Sequence, residues 1–151
     1  FHLLTQVAGR AGRGDMPGRV IVQTFAPHHY AIQAARNHDY AGFCRQELAI
    51  RRDLNLPPFS RLARLVARSA REAAASNLAE QIAAHCRSLL GGQAQVVGPA
   101  PAPVPRLRRQ YRWQVLVKAP SLSLLEKRLP MVMERCHPPK GCHVAVDVDP
   151  I

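Results

Sequence analysis

Two adjacent prolines, Pro57 and Pro58 in "LPPFS" (56–60), divide this chain before any other feature is weighed. Proline has no amide hydrogen to give to a helix and drives the preceding residue into extended backbone, so no helix runs through the pair. The two sides must fold from separate elements. The boundary therefore falls here, with residues 1–55 as one section and 56–151 as the other.

The first section reads helix, strand, helix. Residues 1–14 are predicted helical, and "DMPG" is a turn by composition. "RVIVQTF" (19–25) is rich in β-branched residues and is expected as a buried strand of a parallel sheet. From Pro27 a helical stretch runs to the boundary, broken near Asn37–Gly42 where helix formers thin out. A lone strand has no sheet to join, and about 55 residues with one strand bury too little to stand alone. This section is expected to be the tail of something larger, in keeping with a chain that opens on Phe1 rather than Met.

The second section is more complete. "RLARLVARSA" (61–70) fits helix or strand. "EAAASNLAEQIAAHCRSLLGG" is an amphipathic helix with Leu78, Ile82, Cys86 and Leu89 on one side and Gly91-Gly92 as its stop. "AQVVGPAPAPVP" is a short extended piece leading into a Pro-rich loop. "QYRWQVLVKA" (110–119) alternates, with Tyr111, Trp113, Val115 and Val117 on one side and Arg112, Gln114, Leu116 and Lys118 on the other. "SLSLLEKRLPMVMERC" is a second helix, with Leu125, Leu129, Val132 and Cys136 inward and Ser123 with Glu126 as a capping box; Pro130 should kink it. "CHVAVDVDPI" closes as a strand with Val144, Val146 and Val148 inward. Taking 61–70 as a strand gives β-α-β-β-α-β, the ferredoxin-like order in which two helices cover one face of a four-stranded antiparallel sheet. The helical reading would leave a helix with no sheet to cover.

Charge narrows the partners. The 151 residues carry a formal net charge of +11, which favours a polyanion. Seven arginines fall between Arg45 and Arg71, and "RLRRQYRW" (106–113) adds a second basic cluster. No apolar run approaches the ~18 residues of a membrane span, so no membrane partner is expected. Cys44, Cys86, Cys136 and Cys142 lack C-x-x-C spacing, and free thiols of a cytoplasmic protein are the simplest account. "CHPPKGCH" holds Cys136, His137, Cys142 and His143, but the gap between its cysteines exceeds the two to four residues of a zinc knuckle. A helix end followed by a strand start is expected there, with no metal ligand assigned.

The opening "QVAGRAGRGDMPGRV" carries the chemistry. Gly9, Gly12 and Gly14 run G-x-x-G-x-G, which is not the dinucleotide order, and no Gly-Lys pair occurs, so neither phosphate-cradling loop is present. With "LLTQVAGRAGR" helical, Arg10 and Arg13 lie at i and i+3 on one side, one turn after Gln6. Gly9 and Gly12 each cost roughly 1 kcal/mol against Ala in a helix, which points to close approach of another group. Two guanidiniums on one face suit a phosphate; a solvated basic turn is the plain alternative.

Gln6-Val7-Ala8-Gly9-Arg10-Ala11-Gly12-Arg13 resembles motif VI of superfamily 2 helicases, Q-x-x-G-R-x-G-R. The resemblance implies that Arg10 and Arg13 reach the γ-phosphate of ATP held by another lobe, as arginine fingers, with Gln6, Gly9 and Gly12 beside them. Together with "LPPFSRLA", "VVGPAPAPVPRLRRQYRWQVLVKA" and "DVDPI", the motif makes nearly the whole chain similar to the PriA family, the primosomal N-prime helicases of bacterial replication restart. The family's fold implies an α/β chain: a remnant of the second RecA-like helicase lobe to about residue 55, then an α+β domain similar to ribosomal protein S10, consistent with the ferredoxin-like order above. The family's activity implies an ATP-dependent 3′-to-5′ DNA helicase that restarts forks and assembles the primosome in the cytoplasm. It implies ATP and Mg²⁺ as cofactors, zinc held by cysteines upstream of motif VI, and as partners forked and single-stranded DNA, primosome proteins and the tail of single-stranded DNA-binding protein. With no Walker lysine and no D-E-x-H motif in these residues, the fragment is not expected to hydrolyse ATP alone.

The DNA-binding candidates come from physical chemistry. Arg106, Arg108, Arg109 and Arg112 sit in and beside the Pro-rich loop, where they can neutralise phosphates without reading sequence. Arg64, Arg68, Arg112 and Lys118 share the open face of the sheet, where Asp147 also falls. Trp113 either packs in the core or stacks on a base. Two rivals stand: a stand-alone basic nucleic-acid module of S10 type, and an interaction domain whose basic surface docks an acidic tail.

Overall fold

The ambiguous segment "RLARLVARSA" is strand β1 (Arg61–Ser69) in the computed structural model of the chain, which describes residues 1–11 and 18–150. Its odd positions explain why. Ala63, Leu65, Ala67 and Ser69 are buried on one side, while Arg64 and Arg68 alternate with them on the other, the period-2 pattern of a strand with one covered face. Next come α4 (Glu72–Leu90), β2 (Gln95–Leu107), β3 (Gln110–Ala119), α5 (Leu122–Arg135) and β4 (Cys142–Val148). The sheet runs β2-β3-β1-β4, and every neighbouring pair is antiparallel. Among the described residues the chain divides into two units, Phe1–Leu54 and Asn55–Ile151.

The core of the second unit lies between the sheet and both helices. Leu65 of β1, Val115 and Val117 of β3, Leu78 and Ile82 of α4 and Leu125 of α5 are fully buried in one cluster. Each such aliphatic side chain contributes roughly 1.5–3 kcal/mol against exposure. Gly91 ends α4 in left-handed backbone at φ 47°, a conformation that costs a side-chain-bearing residue but not glycine. Leu90 rather than Leu89 completes the buried stripe of α4, and Leu89 packs only partly against it. The cap of α5 is Ser121, whose Oγ accepts from the Leu124 amide at 3.4 Å. Ser123 and Glu126 therefore form no capping box, because the helix begins earlier than their spacing suggests. Pro130 lies within α5, on its exposed side.

Two further expectations change. The Pro-rich stretch is not a loop: residues 95–107 form the edge strand β2, interrupted by irregularities between Val97 and Ala100 and between Pro101 and Arg106. Proline is tolerated there because an edge strand has a row of amides with no ladder partner to serve. In the first unit, "RVIVQTF" forms no strand among the described residues. Ile21 is 80% exposed and Phe25 fully so, and an extended apolar segment without a neighbouring strand has nothing to pair with.

The first unit consists of α1 (His2–Ala8), α2 (Tyr30–Arg36) and α3 (Tyr40–Asp53). The break between α2 and α3 is set by Asp39, whose Oδ1 caps α3 by accepting from the Gly42 amide at 2.7 Å. Phe1 stacks on Phe43 with ring centroids 4.7 Å apart. The Tyr30 hydroxyl donates to Glu47, which also pairs with Arg51 at 2.6 Å. The Tyr30 bond, and then Arg51, holds the Glu47 carboxyl below its ordinary range. Ala35 is the single buried residue of this unit among those described. Among its described residues the unit has no buried core of its own.

The end of β4 is tied to the start of β1. The Asp149 amide donates to the Leu62 carbonyl at 2.6 Å, and its carboxylate accepts from the Leu62 amide at 3.0 Å and from Arg61 at 2.8 Å. The Leu62 amide first, then Arg61, lowers the Asp149 pKa. A depressed carboxylate pKa stabilises the fold above the unfolded value, about 3.9, and that contribution is lost as pH falls through the folded value. Asp149→Asn is expected to cost about 0.5–1 kcal/mol at neutral pH, the discounted figure for a partly exposed charge-assisted pair. In urea unfolding series the gap between the two proteins should close below about pH 4.

Candidate nucleic-acid interface

The antiparallel register gathers the basic residues of the second unit into two groups. On the face of the sheet away from the helices, Arg68 of β1 lies directly opposite Arg112 of β3 on one side and His143 of β4 on the other. Four residues along, Arg64 lies between Leu116 and Asp147. Lys118 shares this face, opposite Leu62 and Gln95. Arg64, Arg68, Arg112 and Lys118 thus meet on one surface, and Asp147 is there with them. Asp147 accepts from Arg64 Nη2 at 2.7 Å and offsets its charge. The Arg68–Arg112–His143 row has no such acid: among the described residues none of the three has an ion-pair partner.

The second group is the tip of the β2–β3 hairpin. Leu107 pairs with Gln110, so the connection is the two residues Arg108 and Arg109, at φ 51° and 63°. Both central residues in left-handed backbone is the pattern of a type I′ turn, ordinarily built from Asn-Gly. Here two arginines occupy it, both exposed. Arg106 is held beside the tip, its guanidinium carbon 5.0 Å from the centroid of the Tyr111 ring. Arg112 belongs both to the root of this hairpin and to the open face.

Trp113 lies on the opposite side of β3 from Arg112 and packs against the core cluster. His143 is the residue that sequence reasoning missed, having considered it only beside Cys136 as a metal ligand. The alternation of "CHVAVDV" held the signal, because it puts His143, Ala145 and Asp147 on one side of β4. Cys136 and Cys142 are buried, while His137 and His143 are exposed. Burial pushes the Cys86 thiol up to about 11 and also raises that of Cys136, which leaves both as neutral packing groups rather than nucleophiles.

In the first unit, α1 stops at Ala8 with Gly9 as its cap. Arg10 lies beyond the helix, in a turn where its amide donates to the Val7 carbonyl at 3.1 Å. Arg10 is therefore not on the helical face that carries Gln6, since the helix has ended before it. Gly9 keeps ordinary helical backbone at φ −67°, and a Cβ placed there would meet the Thr5 carbonyl at 3.3 Å. Gln6 and Arg10 are exposed, and no acid pairs with Arg10 among the described residues. Gly12 and Arg13 lie outside the described residues.

A family model described as the primosomal protein N C-terminal domain matches residues 52–151. The replication restart protein PriA of Synechocystis sp. is 42% identical over 151 residues, which cover 100% of this chain and 18% of that protein. The protein of the same name from Bacillus subtilis is 37% identical over 153 residues, covering 99% of this chain and 19% of its own length. That of Treponema pallidum is 41% identical over 155 residues, covering 100% and 23%. The chain therefore spans about a fifth of the length of these curated relatives.

Proposed function

The chain belongs to the PriA family, whose C-terminal domain it matches, and from that premise we propose that it is the C-terminal part of an ATP-dependent 3′-to-5′ DNA helicase for replication restart. In this reading the first unit is the end of a second RecA-like lobe. Its exposed apolar segment around Ile21 and Phe25 supports a partner strand and covering surface elsewhere in the protein. The second unit is a ferredoxin-like domain of S10 type, supported by the strand order and by two helices packed on one face.

Gln6, Gly9, Arg10, Gly12 and Arg13 would face ATP and Mg²⁺ bound to another lobe. An exposed Arg10 with no acid beside it among the described residues fits that task, because a guanidinium already matched to a local acid could not serve a γ-phosphate. Zinc would be held outside these residues. The second unit holds DNA through phosphate contacts, with primosome proteins and the tail of single-stranded DNA-binding protein as further partners.

The observation that carries the DNA reading is the pairing of an arginine row without acids and an arginine hairpin tip on one small domain. For phosphate contacts to a single strand, log affinity falls with log salt at a slope of about −0.7 per phosphate neutralised. Fluorescence anisotropy with a labelled single-stranded oligonucleotide between about 50 and 200 mM salt is therefore expected to give a slope of about −3. A flat salt dependence would remove the reading.

An apolar groove between α5 and β4, lined by Leu122, Leu129, Pro130, Met133, Val146 and Val148, favours a second reading as a peptide-docking module. Competition between an acidic peptide and the oligonucleotide separates the two. A peptide that binds without displacing DNA would place the two functions on separate surfaces.

A further inference from the structure

We propose that Arg68, Arg112 and His143 form a phosphate subsite on the open face of the sheet, one that holds a phosphodiester of a single DNA strand. The inference rests on the nucleic-acid reading above and deepens it. It adds His143 and separates this row from the hairpin tip and from Arg64.

Three strands deliver these side chains to one line, since Arg68 is directly opposite both Arg112 and His143. Like charges directly opposite on a sheet destabilise it, and oppositely charged neighbours are the ordinary remedy. Two rows away on the same face that remedy is present, with Asp147 taking the Arg64 guanidinium at 2.7 Å. The acids of the second unit lie elsewhere: Glu72, Glu80, Glu126 and Glu134 are on α4 and α5, and Asp149 is held by Leu62 and Arg61. Arg68 is also partly desolvated without compensation, because its Nε is buried with no hydrogen-bond partner. The Arg64 Nε shares that burial, but the Arg64 guanidinium has its carboxylate. Two guanidiniums and an imidazole kept without acids, with one guanidinium already pinned against the sheet, are preorganised for an external oxyanion that several donors can share.

A single strand fits this surface better than a duplex. The neighbouring rows of the same face present Ala145, Gln114 and Leu116, all partly exposed, uncharged positions against which unpaired bases can lie. A duplex hides its base faces and would leave those rows uncovered. With Trp113 on the other face, no aromatic platform of β3 is offered, so the contact is made to phosphate and carries no base preference.

The test is anisotropy titration of the chain with labelled oligo(dT) at low salt, read alongside thermal melts. Arg68→Gln and Arg112→Gln are each expected to weaken binding about tenfold and to make the salt slope shallower by about 0.7. His143→Gln should weaken it about threefold. None of the three should lower the melting temperature, because the two arginine changes relieve like-charge contact and His143 is exposed. Asp147→Asn is expected to strengthen binding about threefold, since it frees Arg64 on the same face. Wild-type affinity in the Arg68 and Arg112 variants, with steep salt dependence kept, would overturn the subsite and leave the broader DNA reading standing. Salt-independent or absent binding by the unaltered chain would instead overturn the reading it rests on. Inorganic phosphate that displaces the oligonucleotide at matched phosphate concentration would assign the row to a free anion and overturn the commitment to a strand.

Discussion

Arg10→Ala in the full-length protein is expected to lower DNA-stimulated ATP turnover about a thousandfold, the lower end of the range for loss of an arginine finger, with DNA affinity changed by less than about twofold. Arg10 makes no ion pair with any described residue and lies exposed in the turn that follows α1. Its removal therefore breaks no ion pair among the described residues. Charge develops on the transferring phosphoryl group in the transition state, and a guanidinium that contacts it there acts on turnover rather than on ground-state binding. Arg10→Lys should recover little, since an ammonium cannot reproduce the planar fork. Steady-state hydrolysis at saturating single-stranded DNA, paired with DNA titration in the absence of nucleotide, separates the two quantities. Turnover unchanged in both variants would end the finger assignment, and a parallel fall in DNA affinity would reassign Arg10 to the DNA path.

The second unit was largely legible because its patterns are redundant. The segment at 61–70 is ambiguous alone, yet only a strand there gives both helices a sheet to cover, and Arg61–Ser69 is that strand. The arginines at 64, 68 and 112 were placed on one face by simple alternation, which antiparallel pairing preserves. Failures came where a residue's local habit and its tertiary setting part. Proline reads as a loop former, but residues 95–107 lie at a sheet edge where missing amides do little harm. A β-branched run reads as a strand, but residues 19–25 have no neighbour to complete it among the described residues. Gln6 and Arg10 could not be put on one helical face without knowing that α1 ends at Ala8, and helix ends are the least determined part of a periodic pattern. The Arg68–Arg112–His143 row depends on register between three strands, which no single-strand pattern contains.

Replacing Arg108 and Arg109 together by Asn and Gly is expected to move stability and DNA binding in opposite directions. At φ 51° and 63° both residues are left-handed, a conformation that costs a residue with a Cβ about 1–2 kcal/mol and glycine almost nothing. Asn-Gly is the pair this turn ordinarily selects. The double variant should therefore gain about 2 kcal/mol, which for a unit of this size raises the melting temperature by about 10 °C. The same change removes two exposed cations from the tip and should weaken single-strand binding roughly tenfold to thirtyfold at low salt, with the salt slope shallower by about 1.4. A Lys-Lys pair provides the control that keeps charge and backbone strain alike. It should melt with the parent and bind within about threefold of it, because phosphate contact at an exposed tip needs charge more than fork geometry. Should Asn-Gly bring no gain in stability, the turn is not strained as its angles indicate. Should it gain stability and bind as before, the tip lies off the DNA path, and the open face of the sheet must carry the affinity alone. Strain maintained at a solvent-exposed turn by residues that make no local ion pair is otherwise unfavourable with no return to the fold. The opposed shifts follow if the arginines are retained for what they contact outside it.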